Sequence, residues 1–188
     1  MTEGHKQMTR TCNRTLLVLF SFVWCIALSA SDGQGTGVDS VLKLFPGYHV
    51  LTLQERDPNL KAYVVQHFQK ANPSVVHADF DGDGHQDYAL LLKNDKLGKT
   101  ILVVALCPAD GQCKSVYNLD VSADASSVYI RPVPIGSRVS QTDAIPTSDH
   151  SPGRLKSAGI RLRYYEQAEV VLCWNSKLKK IEEVQTGD

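Results

Sequence analysis

Residues 79–87 read DFDGDGHQD, with four aspartates in nine positions and glycines at Gly82 and Gly84. Two carboxylates about 5 Å apart repel by roughly 3 kcal/mol even at an effective dielectric of about 20. No Lys or Arg stands between Asp79 and Asp87, so the compensating charge has to come from outside the stretch. A hard divalent cation supplies it. Calcium takes six to eight oxygens at about 2.3–2.6 Å, and a loop offers them with acids at alternate positions and a backbone carbonyl further on. Counted from Asp79, the expected ligands are Asp79, Asp81, Asp83, the carbonyl of His85, and Asp87. Gly84 falls sixth, where the chain must turn sharply. Magnesium demands a near-ideal octahedron and retains its waters, and zinc prefers nitrogen or sulfur. The bland alternative is an empty Asp-Gly turn, which does not call for a further aspartate at the ninth position.

The stretch is not an EF-hand, because Leu90 occupies the twelfth position and the flanks are strand-like. It resembles instead the calcium loop of FG-GAP repeats in integrin alpha subunits and of related VCBS-type repeats in exported bacterial proteins, approximately D-x-D-G-D-G-x-x-D before an apolar strand. Asp79, Asp81, Asp83 and Asp87 match that pattern, and Tyr88, Ala89 and Leu90 open the strand. The resemblance implies calcium held in a β-hairpin-like loop. It covers about a dozen residues. A propeller needs at least four blades and this chain has one such loop, so a complete propeller and its ligand face are not implied.

The elements that must position the loop follow from periodicity. Val76, Ala78 and Phe80 alternate with more polar neighbours as a strand entering the loop, and YALLLK leaves it as a largely buried strand. Asp57 before Pro58 opens a helix, and Leu60, Tyr63, Val64, His67 and Phe68 carry its apolar stripe to about Lys70. A shorter helix is expected over residues 38–45, capped by Asp39 and ended by Pro46-Gly47, and YHVLTL reads as a strand. SVYIRPVPI contains Pro132 and Pro134 and suits an edge strand. Residues 136–159 read as a long surface loop, and GIRLRYY, AEVVLCW and KLKKIEEV as the closing strands, with a solvated turn at the lysine cluster. The expected fold is α+β: an antiparallel sheet of six to eight strands with one main N-terminal helix, forming a single calcium-binding domain over residues 38–188.

The first 30 residues stand apart. A basic leader precedes the uncharged run LLVLFSFVWCIAL, and Ser29, Ala30 and Ser31 follow. That is the layout of a secretory signal peptide cut near Ala30, and the run is short of the roughly 20 apolar residues of a spanning helix. Residues 31–37, rich in Gly, are expected to be a flexible segment. Loss of Glu3, Lys6, Arg10 and Arg14 takes the 20 basic and 20 acidic side chains to 17 and 19, a charge of −2. Neither a nucleic-acid nor an anionic-membrane partner is expected from that balance, and no membrane insertion is expected after cleavage. A secreted or periplasmic location permits a disulfide, and the five-residue turn PADGQ sets Cys107 opposite Cys113. Cys173 then stays unpaired, as a small buried residue.

No G-x-S-x-G, H-E-x-x-H, C-x-x-C or phosphate-binding glycine loop occurs, and His49, His77, His85 and His150 are scattered. The reading leans away from an enzyme, and no catalytic residue is assigned. The favoured function is an exported domain with structural calcium and a protein or glycan partner. A hydrolase using Asp143, Asp149 and His150 of the long loop is the alternative, and a purely structural envelope protein is a further one.

Overall fold

The computed structural model describes residues 33–68, 71–140 and 153–187. The signal-peptide reading of residues 1–30 lies outside them, as do Asp143, Asp149 and His150. Among the described residues, no helix is long and apolar enough to cross a membrane.

Among the described residues, the chain forms two antiparallel sheets and a short ribbon. The first sheet contains β1 (His49–Val50), β2 (Val75–Ala78), β3 (Asp87–Asn94), β4 (Lys99–Leu106) and β5 (Lys114–Asp120). Its order is β1-β3-β4-β5, and β2 also pairs with β3. The second contains β6 (Val128–Val133), β9 (Gly159–Tyr164), β10 (Glu169–Asn175) and β11 (Lys180–Gly187), ordered β11-β10-β9-β6. The ribbon pairs β7 (Arg138–Val139) with β8 (Gly153–Arg154). Neither sheet closes into a barrel, and the α+β class holds. The strands are divided between two sheets, however, where a single sheet was expected.

Strand β3 shows why the chain folds in layers. Ala89 and Leu91 point to a core shared with Leu102, Val104, Val128, Ile130, Ile160, Leu162 and Leu172 of both sheets. Leu90 and Leu92, on the opposite face, join Val103, Ala105 and Val41 in a second cluster. A strand covered on both sides has no polar face, which accounts for the unbroken LLL run. Each fully buried leucine contributes about 1.5–3 kcal/mol, and Leu91→Ala would cost about 2–5 kcal/mol. The Tyr117 hydroxyl adds one polar tie between the sheets, donating to Glu183 Oε1 at 2.6 Å.

Among the described residues, two α-helices cover the outer faces. Helix α1 (Gly33–Leu42) lies over β3 with Val38, Val41 and Leu42 against the second cluster. It starts five residues before Val38, reaching into the segment expected to be flexible, and Asp39 sits inside it where a cap was expected. Its contact with the sheet decides this against a weak local preference. A Cβ added at Gly37 would come within 2.0 Å of the Tyr88 ring, so only glycine permits that approach. Helix α2 (Pro58–His67) begins as expected, with Asp57 Oδ1 accepting from the Asn59 amide at 2.8 Å. Leu60, Val64 and Phe68 bury against Tyr129 on the outer side of β6. His67 lies on the exposed side, its ring stacked on Tyr63 at 4.3 Å. The strand expected over YHVLTL is reduced to β1, because a 3-10 turn at Leu53–Glu55 follows at once. The long loop is interrupted at its ends by the β7–β8 ribbon, whose Val139 packs with Leu155 on the outer face of the second sheet.

Candidate metal centre

Strands β2 and β3 pair with Ala78 opposite Asp87, so residues 79–86 form the mouth of a hairpin. Backbone amides hold its shape. Asp79 accepts from the Gly82 amide at 2.7 Å and from the Gly84 amide at 3.0 Å. Asp81 accepts from the Asp83 amide at 3.1 Å, and Asp83 from the His85 amide at 2.8 Å. Gly82 and Gly84 have φ of 83° and 88°, a left-handed backbone that costs a side-chain-bearing residue about 1–2 kcal/mol. The two glycines therefore let successive amides turn inward onto the aspartates.

Asp87 closes the loop from the strand side. It is only 1 % exposed, and its two oxygens accept from the Phe80 amide at 2.8 Å and the Cys107 amide at 2.9 Å. Burial pushes its carboxyl up to about 6, against the lowering effect of those two amides, and the Asp81 and Asp83 carboxylates add to the rise. Asp81 is also raised, first by burial, with the Asp83 amide opposing and the Asp83 and Asp79 carboxylates contributing.

Oxygens of Asp79, Asp81 and Asp87 lie within 4.8 Å of one another. Two ligands of one calcium are separated by no more than about 5 Å, since each stands about 2.3–2.6 Å from the ion. Each carboxylate oxygen that accepts one amide keeps a second lone pair for a cation. The donor set is all oxygen, which suits calcium over zinc. Asp83 is not among the converging three, but its carboxylate stands near Asp81 while accepting from the His85 amide.

A second cluster shows the contrast. His49, Glu55 and Asp95 also converge, but Lys93 Nζ lies 2.8 Å from Glu55 and 3.0 Å from Asp95. That group carries its own positive charge. Among the described residues, no ion pair reaches the four aspartates of the loop.

Distant segments brace the mouth, and sequence reading missed them. The Ala158 amide donates to the Asp79 carbonyl at 3.1 Å, and the Ser157 hydroxyl donates to the Phe80 carbonyl. These contacts span more than 70 positions and leave no local pattern. The expected Cys107–Cys113 disulfide is present, and Cys173 is free and buried. The bridge fixes the end of β4 whose Cys107 amide holds Asp87. Burial, with Glu182 nearby, pushes the Cys173 thiol up to about 11, so it is not activated as a nucleophile.

Comparison with known proteins finds no matching family model, curated protein or solved structure.

Proposed function

We propose that this protein is an exported binding domain in which calcium has a structural role, held by Asp79, Asp81, Asp83, the His85 carbonyl and Asp87. The observation that carries the reading is the convergence of three carboxylates without a cationic partner among the described residues. Carboxylates at such separations repel by about 3.5 kcal/mol a pair at an effective dielectric of about 20, and solvent around the partly exposed Asp79 and Asp81 screens this to a total on the order of 1 kcal/mol. Partial protonation of Asp87 relieves part of it, and a divalent cation relieves all of it.

The resemblance to the FG-GAP and VCBS loops supports the same ion. The leader-like first 30 residues, together with the disulfide, support a secreted or periplasmic setting where free calcium is plentiful. When bound, the ion would supply charge neutralisation and cross-link the two strands of the hairpin. The chain's own residues do the rest: Gly82 and Gly84 aim the amides, Asp87 latches the loop to β4, and Ser157 and Ala158 pin it to the second sheet.

Isothermal calorimetry at millimolar calcium tests the proposal. Saturable uptake with one ion per chain is expected, weakened at least tenfold in Asp81→Asn. Absence of any heat of binding refutes it.

A further inference from the structure

Beside the loop lies a cleft of about 610 Å³, within the range of about 300–1,000 Å³ typical of small-ligand sites. One wall is Asp81 and Gly82 of the loop, another is residues 154–157, and the third is the turn between β10 and β11. Three cations line it: Arg154, Lys156 and Lys177. Arg154 Nη1 donates to the Gly136 carbonyl at 3.0 Å, and none of the three makes an ion pair among the described residues. The opposing acids are Asp81 and Glu182, and Trp174, half-buried and packed against the core shared by the sheets, also lines the cleft.

The backbone here is already committed. The Leu155 amide donates to the Ser137 carbonyl and the Ala158 amide to the Asp79 carbonyl. The Lys177 and Leu178 amides both donate to Asn175 Oδ1. Those donors are unavailable for strand addition, the usual way an extended peptide docks on a sheet protein. Recognition therefore falls to side chains: cations for an anionic group, Asn175 and Ser176 for hydroxyls, and an indole face for a flat C–H surface.

We infer that this cleft binds an acidic oligosaccharide, with the sugar carboxylate against Lys156 and Lys177 and a ring face against Trp174. The inference rests on the binding-domain part of the proposed function and is independent of the ion. Asp81 and Gly82 line the cleft as well as the loop, and the cleft's cations are supplied by other segments.

Trp24 and Trp174 are the two tryptophans of the chain, so in the full chain carrying Trp24→Phe tryptophan fluorescence reports Trp174 alone. The experiment titrates that protein with trigalacturonate, with neutral galactotriose and with hexaglutamate, each in calcium and in chelator. Expected is a saturable change with trigalacturonate, at least tenfold weaker with the neutral sugar. The Lys156→Ala/Lys177→Ala double variant, both exposed positions, should lose at least tenfold in affinity with an unchanged melting temperature. No saturable change, equal affinity for the neutral sugar, or preference for hexaglutamate overturns the inference. Calcium uptake without sugar binding would sink the cleft alone, and sugar binding without calcium uptake would sink the ion alone.

Discussion

Replacing Asp81 by Asn should separate the ion's role from that of the fold. The amide retains the Oδ1 that accepts from the Asp83 amide, so the loop keeps its internal bond. It removes two of the three carboxylate repulsions, nominally about 7 kcal/mol at an effective dielectric of about 20. Asp81 is partly exposed, and solvent screening reduces that gain to about 1 kcal/mol. In chelator, Asp81→Asn should therefore melt at or up to about 3 °C above the wild type. In calcium the order reverses. With about 10 mM calcium and a dissociation constant near about 10⁻⁴ M, binding stabilises the wild type by about 2.7 kcal/mol, or about 8 °C for a domain of this size. The variant, binding at least tenfold more weakly, should gain no more than about 4 °C. Paired thermal melts by circular dichroism read this crossover directly. A variant that melts several degrees lower in both buffers would show Asp81 to be merely a fold residue, and equal calcium shifts in both proteins would refute the charge argument.

Reduction of the disulfide, or Cys107→Ser/Cys113→Ser, frees the end of β4 that holds Asp87; stability should drop by about 2 kcal/mol and calcium affinity should fall several-fold by calorimetry. Gly84→Ala meets no atom within 4 Å, so its cost is backbone strain alone, about 1–2 kcal/mol in a denaturant titration. Glu55 is held down to about 2: burial raises it, but bonds from Lys93, from the Thr52 amide and hydroxyl, and from His49 together outweigh that effect. A carboxyl lowered on folding contributes stability above its unfolded value near 4.5, lost as pH falls toward 2. Glu55→Gln should accordingly lower stability at pH 7 and flatten the acid limb between pH 5 and about 2; an unchanged acid limb would contradict the assignment.

The loop could be read from sequence because its constraints are local. Alternating aspartates, and glycines where φ turns positive, are set within nine residues, so candidate ligands could be named without knowing what surrounds them. The same holds for the Asp57-Pro58 helix start and for the turn that closes Cys107 onto Cys113. Strand β3 was recognisable as buried, but which sheets or helices bury it was not, since LLL carries no preference between partners. The early start of α1 is likewise a tertiary effect: a Gly-rich segment has little helical tendency, and its approach to Tyr88 through Gly37 supplies what propensity lacks. Above all, the tertiary structure decided that Asp87 is sealed between the Phe80 and Cys107 amides, that Ser157 and Ala158 brace the mouth, and that Lys156, Lys177 and Trp174 share a cleft with Asp81. Those residues are separated by up to about a hundred positions, and such proximity is created only when two sheets bury their common face.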